Sequence, residues 1–490
     1  MKNNLFLFIV GVMLFFCCLQ QKNNCEQYEN VSQMPGVQKL NKSVVRITAS
    51  ILNFNWTKPY LSNSTTAVGT GFFINNQGYI LTCYHVIDKS YKLEITIPGI
   101  GQNKYDAEII SIYPERDIAL IKIKNHTNTD YLKLGSSDLI KPTDRVNAVG
   151  YMLASDQLKI TAGTISGYNN NIIQTDTVIN SGNSGGPLLN DKFEVIGINV
   201  SKIVSYGVEG VNYAVPIKQY VINKNLFNSQ KIIRSPKLGV VCININDDFT
   251  EYLGIKKDIG YLISKIAKNS PADKAGLKIN DIIISFDGYI LDNYGMTKIP
   301  ENIEKVHLDY LIYNKSSSDK VKMQIIDNKT KQIKNMTVDL SNNNFYDVTY
   351  KYPLTEKINY IVVAGLVMMN MTMNHINILS SDNDELLPYK NIEKRNINKV
   401  IITNIIPGSK INTLNVIYPG EIIKSINDQN VANIEDITTI LSKDKYQYIK
   451  IITENNKTYV ISEKNALEED IYLSKINKYE KFFKHNKNIK

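Results

Sequence analysis

Residues 37 to about 220 read as short strands divided by turns, and that rhythm limits the fold more than any other feature of this 490-residue chain. Val44-Val45-Arg46-Ile47 opens the series. Gly71-Phe72-Phe73-Ile74 runs into the turn Asn75-Asn76-Gln77-Gly78, and Tyr79-Ile80-Leu81-Thr82 follows. Leu93–Ile97, Ile118–Ile123 and Val195–Ile198 continue it. Turn residues recur about every 8–12 positions with few helical patterns between them, which points to an all-β sandwich or barrel.

Beyond residue 235 the texture changes and a pattern appears twice. Ile263–Ile266, Ser270-Pro271-Ala272, Ala275-Gly276-Leu277 and Asp281-Ile282-Ile283 form the first copy. Ile402–Ile405, Pro407-Gly408-Ser409 and Gly420-Glu421-Ile422-Ile423 form the second, offset by 139–140 residues. An internal repeat of domain size means two related modules. The expected layout is an N-terminal signal and tether (1–25), a β domain (37–225), two modules (235–342 and 355–462) and a basic tail (463–490). That agrees with a length prior of about 150 residues per domain.

The ends carry addresses rather than chemistry. Lys2, the apolar run Leu5–Phe16 and the polar stretch Gln20–Asn24 describe an export signal. Leu14-Phe15-Phe16-Cys17 is similar to a bacterial lipoprotein cleavage site, although Phe16 is bulkier than the usual residue before the cysteine. Acylation of Cys17 would hold the chain on a membrane surface. The net charge of +9 is concentrated in the lysines of residues 475–490, so nucleic-acid binding is not indicated. The tail lysines recur every third residue and are expected to be solvated. Five cysteines give no disulfide framework, no Cys/His spacing matches a zinc site, and neither a structural metal nor a cofactor is expected.

Gly182-Asn183-Ser184-Gly185-Gly186-Pro187 is the sharpest chemical signal. Its glycines permit tight turning and let backbone N–H groups approach a reacting oxygen. A Gly-x-Ser-x-Gly elbow of the α/β-hydrolase kind needs its histidine after the serine. Only His307, His375 and His485 follow, all in the modules or the tail. Of the earlier histidines, His126 sits in a polar loop, whereas His85 ends an apolar strand. Asp117 leads directly into the apolar strand Ile118–Ile123 and is preferred to Asp106 and Asp88. The order His85, Asp117, Ser184 then follows triad logic, with Ser184 as nucleophile, His85 as general base and Asp117 fixing the imidazole. The N–H groups of Gly182 and Ser184 are the expected oxyanion hole.

Thr70–Ile74, Gly78–Val86, Arg116-Asp117-Ile118-Ala119-Leu120, Gln174-Thr175-Asp176, the serine loop and Val211–Pro216 together resemble the HtrA/DegP family of serine proteases. The resemblance implies a mainly β chain: a two-barrel chymotrypsin-like serine protease domain followed by two PDZ-like α+β domains. It also implies ATP-independent endoproteolysis of unfolded or misfolded proteins, a trimer-based homo-oligomer and a periplasmic or cell-envelope address. Lys237-Leu238-Gly239-Val240 looks like a PDZ carboxylate-binding loop, with Leu238, Gly239 and Val240 receiving a peptide C-terminus. Gly365-Leu366-Val367 is its counterpart in a more divergent second module, which has a polar insertion from Ser380 to Lys394. The end of that module resembles plant-type Deg proteases.

Val178, about six residues before the serine, and Ile179 are the expected specificity pocket. They favour small or medium aliphatic side chains, with Lys202 near the rim. Asn183 cannot make the ion pair by which zymogen-activated relatives capture a new N-terminus. Phe54 and Trp56 suit either packing between subunits or capping a barrel. The competing reading is a peptide-binding chaperone or scaffold with an idle protease domain.

Overall fold

A computed structural model describes residues 35–482, apart from 128–129, 153–155, 170, 201–210, 253, 255–257, 301–303, 342–343 and 444–445. The export signal, Cys17, Lys202 and the last lysines lie outside the described residues. The chain divides into two compact units. One holds residues 66–87 and 92–231 with the segment up to Ala49; the other holds residues 232–490 with 50–65 and 88–91.

Two closed six-stranded barrels make up most of the first unit. Strands β1 (Val44–Phe54), β2 (Ser62–Phe73), β3 (Tyr79–Thr82), β4 (Ser90–Thr96), β5 (Lys104–Tyr113) and β6 (Ile118–Ile123) close in the order β1-β2-β3-β6-β5-β4. Strands β7 (Arg145–Gly150), β8 (Lys159–Asn169), β9 (Ile172–Thr175), β10 (Pro187–Leu189), β11 (Val195–Val200) and β12 (Asn212–Pro216) close in the order β10-β11-β12-β9-β8-β7. The barrel expectation therefore holds, and closure leaves no unpaired sheet edge. The turn after β2 forms as its residues dictate. The Asn75 carboxamide oxygen accepts from the N–H groups of Gln77 and Tyr79, at 3.0 and 3.3 Å, and returns the chain into β3.

In the second unit the repeat is visible as two related sheets. The first runs β13 (Val240–Ile243), β14 (Tyr261–Ile266), β15 (Ile282–Phe286), β19 (Lys320–Ile326) and β20 (Ile333–Asp339). Short strands β16 (Tyr289–Ile290), β17 (Met296–Thr297) and β18 (Val306–His307) complete that module. The second sheet runs β21 (Tyr360–Val363), β22 (Leu366–Asn370), β23 (Val400–Ile405), β24 (Ile422–Ile426), β26 (Tyr448–Thr453) and β27 (Thr458–Ser462), with β25 (Gln429–Asn430) on β24. Each module has its own apolar core, one around Ile263, Phe286 and Met323, the other around Leu366, Ile402 and Ile451.

One expectation needs correction. Residues 463–477 do not open a solvated tail but form a helix, Glu463–Asn477, capped by the Ser462 hydroxyl. Leu473 and Tyr479 are buried in one cluster with Val362, Val367 and Ile406, and this burial outweighs the pull of solvent on the intervening lysines, whose heads stay exposed. Trp56 packs against its own chain in the second unit. It lies edge-on to His375 at 5.1 Å, while Tyr60 joins the cluster around Tyr479 and accepts from the Asn404 amide at 3.2 Å.

Candidate active site

Asp117 is held where the chain leaves the 3-10 turn Pro114–Arg116, in a left-handed conformation (φ 54°). Aspartate tolerates that region better than most side chains. From there it makes three bonds to the segment after β3. Its carbonyl accepts from Tyr84 N–H at 3.1 Å, its Oδ1 from His85 N–H at 2.8 Å, and its Oδ2 lies 2.6 Å from His85 Nδ1. His85 therefore does not end a strand. Strand β3 stops at Thr82, and His85 sits on a single helical turn, Tyr84–Ile87, anchored by buried Val86 and Ile87. The carboxylate fixes both the backbone and the ring, so the imidazole presents Nε2 as its acceptor.

The serine loop joins β9 to β10 and is braced from three sides. Thr70 Oγ1 donates to the Gly182 carbonyl at 2.7 Å, and Thr70 N–H donates to the Ser184 carbonyl at 2.9 Å. Asn199 exchanges main-chain bonds with the loop, accepting from Gly185 and donating to Gly186. The same Asn199 carbonyl accepts from the Cys83 thiol at 3.3 Å, which ties the histidine turn to the serine loop. Gly185 has φ +85°, and a Cβ there would collide with the Thr70 carbonyl and Thr82 Oγ1. Only glycine fits this approach.

Thr70 Oγ1 and Asn199 are the functional residues that the sequence reading passed over as such. The signal for Asn199 was available: it is a fully buried amide inside the otherwise apolar strand β11.

Val178 and Ile179 do not form one surface. Ile179 is buried in the barrel core with Val146, Ile165 and Leu188, while Val178 is exposed and its carbonyl accepts from Thr161 Oγ1 at 2.9 Å. Asn183 is fully buried, and neither atom of its amide has a hydrogen-bond partner among the described residues. Cys83, His85 and Asp117 bring possible ligand atoms within 4.8 Å of one another. They do not suit a metal, because burial, reinforced by the Asp117 charge, pushes the Cys83 thiol well above its ordinary range and keeps it protonated.

Leu238, Gly239 and Val240 line a cavity of about 400 Å³ with Cys242, Leu308 and Ile312. Gly239 has φ +80°, and a Cβ there would collide with the Ser270 side chain. The Leu238 and Gly239 carbonyls accept from Ala272 and Ala267 N–H groups at 3.0 and 2.8 Å. In a trans peptide the N–H points opposite to the carbonyl, so the Gly239 and Val240 N–H groups are turned away from those partners. Strand β13 ends its sheet and offers an edge. The second module is built on the same plan, with the Gly365 carbonyl accepting from Ile406 at 2.9 Å, but there the edge is taken. Strand β21 pairs along β22 from Tyr360↔Met369 to Val363↔Leu366, so the chain fills the position that an incoming peptide strand would need.

Two barrels carrying a histidine–aspartate pair beside a braced Gly-x-Ser-x-Gly loop define a chymotrypsin-like serine peptidase, here followed by two related sheet modules. The comparisons agree. Residues 69–198 match the trypsin-like peptidase domain, and residues 236–326 and 351–476 each match the PDZ domain. A probable periplasmic serine endoprotease, DegP-like, from Chlamydia pneumoniae is 29% identical over 396 residues, covering 78% of this chain and 73% of that protein. A DegP-like relative from a Marinomonas species is 32% identical over 296 residues, covering 58% of this chain and 60% of its own length. A solved HtrA-type protease with a bound decapeptide superposes with a TM-score of 0.50 at 21% identity, covering 63% of this chain and 97% of that one, and supports the fold. The chain is a serine endopeptidase with a trypsin-like peptidase domain and two PDZ domains, and it is similar to DegP-like serine endoproteases.

Proposed function

We propose that His85, Asp117 and Ser184 are the catalytic triad of an endopeptidase that removes misfolded proteins from the periplasm. The observation that carries this is the Asp117–His85 pair, bonded through both main chain and ring, next to the braced serine loop. Ser184 Oγ attacks the scissile carbonyl as His85 Nε2 accepts its proton. The imidazolium, stabilised by Asp117, then returns the proton to the leaving amine. The N–H groups of Gly182 and Ser184 receive the developing oxyanion, where a single donor contributes about 3–4 kcal/mol. Water then hydrolyses the acyl-enzyme by the same proton route.

The groove of the first PDZ domain takes substrate C-termini, with the peptide adding as a strand to β13. The second PDZ domain, whose edge β21 occupies, serves assembly instead. The periplasmic address is supported by the export signal and by the relatives' names. A trimer-based assembly and acylation of Cys17 complete the proposal; sedimentation, and lipid labelling with and without Cys17→Ala, test these two.

The deciding experiment is cleavage of unfolded casein by the chain without residues 1–25, beside the same chain carrying Ser184→Ala. Loss of cleavage in the variant supports the triad. Equal cleavage by both would sink it.

A further inference from the structure

The cavity of the first PDZ domain is not lined by that domain alone. We propose that Arg395, immediately after the polar insertion of the second PDZ domain, anchors the C-terminal carboxylate of a peptide bound to the first. This inference rests on the groove reading above.

Arg395 lines the same cavity as Leu238, Gly239 and Val240. Its place there is built. Its carbonyl accepts from Asp347 and Val348 N–H groups at 3.0 and 2.9 Å, its Nε donates to the Val348 carbonyl at 3.2 Å, and its guanidinium carbon lies 4.0 Å from the Tyr346 ring centroid. Tyr346 lines the cavity too. The chain at the end of the insertion is fastened to the first domain on either side of Arg395. Lys265 pairs with Glu393 at 2.8 Å, the Asn396 amide donates to the Lys268 carbonyl at 3.0 Å, and Ile392 packs on Ala267, Phe345 and Tyr346.

Backbone N–H groups alone bind a carboxylate as dipoles. A guanidinium adds full charge and a forked pair of donors matched to two carboxylate oxygens. Lys237 also lines the cavity, with His307 and with Asp309 carrying the opposing charge. Lysine is a point charge on a flexible stem, whereas stacking and the Nε bond hold Arg395 in one orientation, so less freedom is lost when a carboxylate arrives. C-terminus recognition in the first domain thereby depends on the second domain's insertion being seated.

The test uses the full chain carrying Ser184→Ala and fluorescent decapeptides. These are selected from a pool that ends in valine, leucine, isoleucine or phenylalanine and is random upstream. Each selected peptide is made with a free carboxylate and as the C-terminal amide, and binding is read by anisotropy. The unsubstituted groove is expected to prefer the acid, and Arg395→Ala to weaken the acid about tenfold or more while leaving the amide unchanged. Arg395→Lys should fall between the two.

Several results overturn the proposal. An acid-to-amide ratio in Arg395→Ala equal to that of the parent does so, whether both affinities hold or both fall together through a loosened groove. Loss of the acid preference in Lys237→Ala but not in Arg395→Ala does the same. If no acid-terminated peptide binds even the parent chain, the groove reading falls and this inference with it.

Discussion

His375 places a titratable ring in the core of the second PDZ domain, and its acid sensitivity follows from the contacts around it. The side chain is fully buried, and burial pushes its pKa down to about 3, with only the Trp56 backbone opposing. Its Nδ1 accepts from Thr372 N–H at 3.1 Å within a capping box that starts the helix Met373–Leu379. A proton on Nδ1 would set one N–H against another. The folded-state value is depressed, so the stabilisation is complete above the unfolded value of about 6.5 and is lost as pH falls from there toward 3. Between pH 7.5 and 5 the loss is about 2 kcal/mol, from about 1.5 pH units at 1.36 kcal/mol each. With a urea slope of about 2–3 kcal/mol/M, the unfolding midpoint should drop by about 0.7–1 M from this source.

His375→Gln keeps the capping box, since glutamine serves at the same position, but it cannot titrate. Trp56, the chain's single tryptophan, stands beside the ring and gives a local fluorescence signal of unfolding. Buried Asp470, raised to about 6, acts in the opposite direction over the same range, so the readout is the difference between the two chains. A midpoint difference between parent and His375→Gln that stays constant from pH 7.5 to 5 would refute the buried, neutral imidazole.

Other perturbations have equally defined outcomes. Asp117→Asn should lower kcat by about 10⁴-fold with little change in KM in peptide hydrolysis, because the amide stabilises the wrong imidazole tautomer. Asp470→Asn should raise stability at pH 8 by about 1–2 kcal/mol after allowance for solvent screening. That gain should vanish below pH 4, where the aspartate is already neutral in both states. The Tyr479 hydroxyl bond to Asp470 Oδ1, at 2.9 Å, is one that asparagine can accept as well. Gly185→Ala should abolish casein cleavage and lower the thermal midpoint of the peptidase unit, since its Cβ has no room beside Thr70 and Thr82. Asn183→Asp should cost about 3–5 kcal/mol by placing an unpaired charge in a fully buried site, measured as loss of stability in urea.

The barrels and the serine loop were legible because their determinants are local. A strand–turn rhythm marks the barrels, and glycines around a serine mark a loop that must approach other backbone. What stayed hidden was set by partners distant in sequence. Nothing near Asn199 says that its carbonyl joins Cys83 to Gly185, and nothing near Trp56 points to His375, 319 positions away. Ile179 reads as a pocket residue by its distance from Ser184, but the barrel core needed its side chain. The lysine rhythm from residue 475 suggested solvent, while Leu473 just before those lysines and Tyr479 among them decided the packing.

The two PDZ domains show how one sequence plan can lead to different uses. Gly239 and Gly365 share a left-handed conformation and a serine neighbour that a Cβ would strike, so both loops turn alike. The difference lies upstream. Before Gly239 the chain arrives without a strand and leaves β13 as an edge, whereas Tyr360–Val363 arrives as β21 and pairs with β22 from Leu366 to Met369. With β22 already paired by its own chain, a peptide cannot add to it as it can to β13, and displacing β21 would expose Val362 and Val363, both buried. The strand that answers to β13 in the second domain is therefore committed to its own chain, while Arg395, just after the insertion, lines the groove of the first.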